Sequence, residues 1–387
     1  MILLIVLFWV FFALALHPYI TYPFVIMILS SLRARPQQEG GEKPLVSVVI
    51  PAYNEEETIE RRVQNLLEMD WPADRLEVIV ASDGSSDRTN ELVCALAEVD
   101  QRVRLLDLPR GGRCAAVNAG AAGAAGQIVL LTDASTEFAP DVVSKLVAHF
   151  GDQRVWVVVG TVNMLPFERT PLNFTEGLYW RFESRLREME ARAGLAFIGS
   201  GACIAVRRDR FPQLEDDASD DLNLVLKVIS QGGRALQVAN IGVYDYMDGD
   251  VGKQLQSRTR RVVRSLTTIS RNAAIMNPLS HPDYAFCVIS HKVLRWMSPL
   301  WLIGMLATSA SLFSLPLYRY VFFAQAAFYG LALLGLAAQR LSVSSSPVLA
   351  IPLGVVVANA AFLRGLISFL VGRRVRVHEP VRPQGDG

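Results

Sequence analysis

Asp83, Asp133 and the pair Asp220-Asp221 stand where this 387-residue chain could do chemistry. Asp83 closes the apolar run VIVAS, and Asp133 closes IVLLT. In an open parallel sheet, ligands bind beyond the carboxyl ends of the strands, so an acidic strand tip faces the ligand. There Asp83 can accept hydrogen bonds from a base or a ribose, or it can merely cap the turn at Gly84. Asp133 can offer oxygen to a hard divalent cation, Mg2+ or Mn2+, that bridges to diphosphate oxygens, or it can be an isolated turn aspartate. Between them runs RGGRCAAVNAG, residues 110–120. Gly111 and Gly112 allow close backbone approach, and Arg113 offers a fixed positive charge to a phosphate. Asp220 and Asp221 open a helical run, where the helix dipole favours carboxylates; the nearby Asp216 and Asp217 are expected at the surface.

The elements that must position these residues alternate. Residues 46–51, 77–82, 103–106 and 127–132 are strand-like; 56–69 and 86–98 are helical, the second with Ser86 as N-cap. Strands alternating with helices over about 44–277 predict a parallel, helix-covered sheet. A dinucleotide-binding fold would carry GxGxxG in the first strand-to-helix turn. That turn is PAYNEE, without glycine, which argues against it. Cys94, Cys114, Cys203 and Cys287 lie far apart, without CxxC spacing, consistent with a reducing compartment. The formal net charge of +1 gives no sign of a nucleic-acid partner.

The flanks are different material, and hydrophobic residues reach 51% of the whole. Residues 2–32 are almost wholly apolar, with no cationic leader or small-residue cleavage site. They are long enough to cross a bilayer, with a kink expected where His17 and Pro18 interrupt them. Arg33 and Arg35 place the end of this segment on the cytoplasmic side. Residues 36–43 form a polar linker. Three more apolar stretches, 299–315, 321–338 and 348–371, each have the length of a span, and HKVLRW (291–296) suits a membrane interface. The expected layout is a span over 1–33, a cytoplasmic domain over 34–277, an interfacial segment over 278–298, about three helices over 299–372 and a basic tail over 373–387. One span before the domain and three after it would leave the C-terminus outside, whereas Arg373, Arg374 and Arg376 argue for inside.

The ordered series PAYNEE, ASDGSSDRT, GGRCAAVNAG and LLTDAST resembles the family 2 inverting glycosyltransferases over roughly residues 44–270. The resemblance implies an α/β GT-A (nucleotide-diphospho-sugar transferase) domain with a mixed, mainly parallel sheet, plus transmembrane helices at both ends. It implies transfer of a sugar from a nucleotide-diphosphate sugar, expected to be a UDP-sugar, to an acceptor hydroxyl with inversion, aided by a divalent cation. By resemblance Pro51, Ala52, Tyr53 and Glu55 frame the nucleotide, Asp83 binds its uracil or ribose, and Gly112, Arg113 and Asn118 belong to the same site. Asp133 is the first aspartate of the DxD motif and the metal ligand; the motif here reads Asp133-Ala134-Ser135, so Ser135 or water must complete the coordination. The segment containing Gly199, Ser200 and Gly201 lies beside the acceptor, and the helix over 177–194 before it is expected mainly to pack. Asp221 is the general base, with Asp220 next in line. Gln254 to Ser265 stands where polymerising synthases carry QxxRW; the tryptophan is missing, and Arg258, Arg260 and Arg261 can meet the diphosphate or anionic headgroups. A lipid, a lipid-linked saccharide or a growing polysaccharide could accept the sugar. A processive synthase is the alternative within the class. From another class comes a transporter or assembly component with a degenerate domain, for which Arg364 is the candidate intramembrane charge.

Overall fold

The computed structural model describes residues 1–33, 40–166, 171–247, 251–341 and 346–373. Arg35, the first half of the polar linker, Arg374, Arg376 and the rest of the tail lie outside the described residues. The chain begins with α1 (Ile2–Leu16) and α2 (Thr21–Arg33), bent by 48° across His17–Ile20, as the proline predicts. Then come β1 (Val46–Ala52), α3 (Ile59–Leu67), β2 (Leu76–Asp83), α4 (Thr89–Val99), β3 (Val103–Leu108), α5 (Arg113–Gly123), β4 (Ile128–Leu131), β5 (Glu137–Phe138) and α6 (Val142–Val147). They are followed by β6 (Val155–Pro166), α7 (Pro171–Arg192), β7 (Ile204–Arg207), α8 (Asp220–Ser230), β8 (Arg234–Met247) and α9 (Val251–Arg271). The chain continues with α10 (Pro282–Val288), a π-helical turn (Ile289–Val293), α11 (Leu294–Trp296), α12 (Ser298–Ser311), α13 (Pro316–Arg340) and α14 (Pro347–Leu370).

The strands form one mixed sheet in the order β3-β2-β1-β4-β7-β6-β8-β5. β1 lies parallel to both β2 and β4, with Val49 opposite Ile79 on one side and Leu131 on the other. β7 runs antiparallel between β4 and β6. After β3 the chain crosses to the far side of β1, and such a reversal opens a ligand crevice at the carboxyl ends of the strands. Pro51, Ala52, Asp83 and Asp133 all reach that edge.

Successive strand residues point to opposite faces, and the core divides accordingly. Val48, Ile50, Val78, Val80 and Leu130 pack with Ile59, Val63 and Leu66 of α3. Val49, Ile79, Val129, Val159 and Val206 pack beneath α5, α7, α8 and α9. The second layer runs without a break into the flanking helices, because Tyr22, Ile26, Trp296 and Phe362 belong to it. Helix α5 can lie so close to β1 because residue 120 is glycine: a Cβ there would stand 2.3 Å from Val49 Cγ1.

Three of the sequence expectations change. Helix α4 starts at Thr89 rather than at Ser86, and the Asp87 carboxylate accepts the Thr89 N–H at 3.0 Å. Asp217 is buried, not at the surface, and pairs with Arg271 at 2.9 Å. Of the three C-terminal apolar stretches, α13 and α14 have 25 and 24 residues, long and apolar enough to cross a membrane, but α12 has only 14. At 1.5 Å per residue α12 extends about 21 Å, short of a ~30 Å hydrocarbon core. The bent α1–α2 pair passes the same test only if taken as one broken span. Apolar side chains such as Phe323, Leu333 and Leu334 on α13 and Val348 on α14 face outward, the surface a lipid environment would cover.

Candidate active site

The crevice at the tips of β1 and β2 is built from loops laced to one another. Asp83 is buried at the tip of β2, where its Oδ1 accepts the N–H groups of Gly111 at 2.7 Å and Gly112 at 2.9 Å. Its Oδ2 pairs with Arg110, whose guanidinium lies over the Tyr53 ring, 3.3 Å from the centroid. Asp83 is therefore no simple turn cap, since it fastens the glycine loop to the strand tip. After β1, Asn54 sits at φ +54° and its side-chain oxygen accepts the Ser86 N–H at 2.7 Å. The Glu55 N–H donates to Thr89 Oγ1 at 2.7 Å, and the Glu55 carboxylate takes the Thr58 hydroxyl at 2.9 Å.

Deeper in, Arg113 at the start of α5 bridges two of the candidate carboxylates. Its Nη2 lies 2.5 Å from Asp133 Oδ1 and its Nε 2.6 Å from Asp220 Oδ2. Gly201 permits this, because a Cβ there would stand 3.0 Å from the Arg113 guanidinium and 3.4 Å from Asp220. Burial works to raise the Asp220 carboxyl, but Arg113 and Arg264 outweigh it and hold it below the usual carboxylate range. The neighbouring Asp221 goes the other way, pushed up first by burial and then by the charge of Asp220. Asp221 Oδ1 accepts the Ser219 hydroxyl at 2.5 Å and the Leu222 N–H at 2.7 Å, which fix the carboxylate in direction. Two adjacent acids whose proton affinities are pushed in opposite directions suit two tasks, a permanent anion in an ion-pair network and a proton acceptor.

Asp133 and Asp221 open into one cavity of about 380 Å³, which Gly199, Ser200 and Gly201 also line. Tyr179, Trp180, Ser184 and Arg187 bring α7 into the same wall, so this helix does more than pack. Arg258 and Arg261 from α9 line it as well. Arg260 does not; its guanidinium is pushed down to about 10 by burial and by the neighbouring Arg261 and Arg264. Asn118 does not line this cavity. Its side chain clamps the backbone of Leu214 in both directions, at 2.8 and 3.0 Å. Asn118→Ala should therefore cost about 1–3 kcal/mol of stability by stranding those two buried backbone groups, seen as a lower melting temperature, with nucleotide affinity unchanged. Sequence reasoning missed Arg264, Arg187 and Lys292, of which only Arg187 has a local signal, its i,i+4 spacing from Glu183.

Among the described residues, no group of three or more His, Cys, Asp or Glu side chains could hold a metal ion. One carboxylate, Asp133, fits an Mg2+-type ion that takes its remaining ligands from water and substrate phosphates. Asp133 Oδ1 is shielded from solvent and lies 2.5 Å from Arg113 Nη2, so a cation held by Asp133 would share or displace that contact.

Residues 47–214 match the family model for glycosyl transferase family 2. The Bacillus subtilis protein named probable glycosyltransferase YdaM is 33% identical over 136 residues, 34% of this chain and 32% of that protein. An N-acetylglucosaminyltransferase of Mesorhizobium japonicum is 28% identical over 238 residues, 57% of this chain and 56% of the relative. The matched region thus spans between a third and just over half of these curated relatives. A mannosyltransferase from Pyrobaculum calidifontis, solved with GDP-Man and Mn2+, superposes with a TM-score of 0.71 at 23% identity, over 95% of this chain and 99% of that one. That likeness establishes a GT-A-type fold with its mixed sheet and its C-terminal apolar helices.

Proposed function

We propose that this chain, a family 2 glycosyltransferase, moves a sugar from a nucleotide-diphosphate sugar to an acceptor hydroxyl at the membrane surface, with inversion at the anomeric carbon. The observation that carries the reading is that Asp133 and Asp221 line a single cavity, with Arg113 and Asp220 behind them. The relative solved with GDP-Man and Mn2+ supports a nucleotide-sugar donor and a divalent cation here.

Asp83 and Tyr53 mark the place for the nucleoside, and Arg110 must turn off the Tyr53 ring as a base stacks there. Asp133 would hold Mg2+ or Mn2+, whose charge stabilises the departing diphosphate. Arg261 offers further positive charge to it. Asp221 takes the proton of the acceptor hydroxyl as that oxygen bonds to the anomeric carbon.

The shortened α12 bears on the topology. With α1–α2 as one broken span and α13 and α14 as two, the domain and the C-terminus fall on the same face. That reconciles the helix count with Arg33 and Arg373, both cytoplasmic by their charge. Arg364 lies exposed on α14, which does not support the transporter alternative.

Thermal shift of the detergent-purified protein with UDP-, GDP- and TDP-sugars, with and without Mn2+, tests the reading. A ligand at about 100 times its Kd adds about 2.7 kcal/mol of stability. Asp133→Ala should remove the Mn2+-dependent part of the shift; unchanged nucleotide affinity in Mn2+ would sink the metal assignment.

A further inference from the structure

A second cavity, of about 340 Å³, adjoins the first. Ala15 of α1, Tyr19 in the turn after it, Leu302 of α12 and Val355 and Ala358 of α14 line it, with Tyr179 of α7 and Gln254 of α9 on the domain side, so it lies where the apolar helices meet the domain. Tyr179, Arg258 and Phe362 belong to both cavities and form the passage between them. Along this path the chemistry changes in order. The outer part is apolar, Arg258 stands at the junction, and the inner cavity carries Arg261, Arg187 and Lys292 together with Asp221 and Asp133.

The cationic stretch is backed by a buried cluster that holds, among the described residues, more bases than acids. Glu183 is 0% exposed and meets Arg187 at 2.8 Å, Lys292 at 3.1 Å and Arg295 at 2.6 Å. The next acid, Glu190, is already engaged by Tyr22 and by His291 at 2.6 Å. Arg295 is 1% exposed, and its Nε and Nη2 have no hydrogen-bond partner among the described residues. Burial, and less so the neighbouring Arg187 and Arg295, push the Lys292 ammonium down to about 8, against the pull of Glu183. Surplus buried positive charge beside a substrate cavity calls for an anion.

We infer that the acceptor is a lipid-linked sugar whose hydrocarbon chain lies between α1, α12 and α14 and whose linking phosphates lie among Arg258, Arg187 and Lys292. This rests on the transfer reading above and names its acceptor class. A tail, an anionic link and a sugar hydroxyl match the order apolar, cationic, Asp221. In the reaction the acceptor-sugar oxygen bonds to the donor's anomeric carbon as the bond from that carbon to the diphosphate oxygen breaks. Its electron pair leaves with the nucleoside diphosphate, and the hydroxyl proton passes to Asp221. The linking phosphates of the acceptor are unchanged.

The test is thermal shift of the full chain in neutral detergent with three probes: polyprenyl-diphosphate-linked N-acetylglucosamine, neutral glucosyl-diacylglycerol and phosphatidylglycerol. The diphosphate-linked sugar should bind roughly tenfold or more tightly than either other lipid, as charge-assisted hydrogen bonds weigh. Ala358→Trp, which fills the apolar groove, and Lys292→Gln, each compared with its own ligand-free baseline, should both reduce that preference. Equal binding of the neutral glycolipid overturns the anionic link, and equal binding of phosphatidylglycerol reduces the site to one for bulk membrane lipid. A preference that survives both variants overturns the placement. A nucleotide-sugar shift measured in the same samples separates the two readings: with it present and the lipid preference absent, only the acceptor assignment fails.

Discussion

Asp221→Asn is expected to lower turnover roughly 10²–10⁴-fold while leaving nucleotide-sugar affinity close to that of the parent. The substitution keeps the size of the side chain and an oxygen able to accept from Ser219 and the Leu222 N–H. What it removes is the ability to take a proton. Only the ionised form of Asp221 is a base, and burial together with Asp220 raises the pH at which it ionises. The acid limb of the rate profile should therefore lie above the ordinary carboxylate range. Asp220→Asn removes the neighbouring charge and should move that limb to lower pH, a displacement that a purely structural role for Asp220 would not produce. Steady-state rates across pH, with donor saturating, read both effects. If Asp221→Asn turns over normally, the base lies elsewhere and Asp220 is tested next.

The strand-tip carboxylates were legible in the sequence because their signal is local. An apolar run followed by Asp83 or Asp133 and a turn needs no knowledge of distant residues, and the same holds for the acids that start α8. The kink at Pro18 was equally local. Asn118 was misplaced because its partner, the Leu214 backbone, lies 96 residues away and leaves no trace in the motif around it. The apolar stretch over 299–315 had the composition of a span, but Pro316 begins a new helix and α12 ends at Ser311. HKVLRW suited a membrane surface because charge beside an apolar run does. Its charges are instead buried, and the acid that explains them, Glu183, precedes them by 108 to 112 residues.

That acid is where the largest loss of stability is expected. Glu183 sits on α7, and the π-helical turn brings His291 and Lys292 to it, with Arg295 following; such turns tend to mark functional positions. Through His291 and Glu190 the cluster reaches the Tyr22 hydroxyl, tying α2 at the start of the chain to the helices that lead into the C-terminal region. Glu183→Ala leaves Arg187, Lys292 and Arg295 buried without their shared carboxylate, and breaking a buried pair in this way costs about 3–5 kcal/mol. The pair between exposed Arg154 and Asp152 is the control, since removing Arg154 should leave the melting temperature nearly unchanged. Burial works to raise the Glu183 carboxyl, but Lys292, His291, Arg295 and Arg187 outweigh it and hold it well below its ordinary value. A carboxyl depressed on folding contributes fully above its unfolded value, about 4.3, and loses that contribution as pH falls toward the folded one. Melting temperatures from neutral pH down through the acid range should therefore converge for the parent and Glu183→Ala as the carboxyl protonates. A constant gap between them would mean that Glu183 acts through packing and not through its charge. Because Arg187 and Lys292 also line the substrate cavity, the same variant should weaken acceptor use at pH values where the protein is still folded, which joins the anchoring of the helices to the chemistry they border.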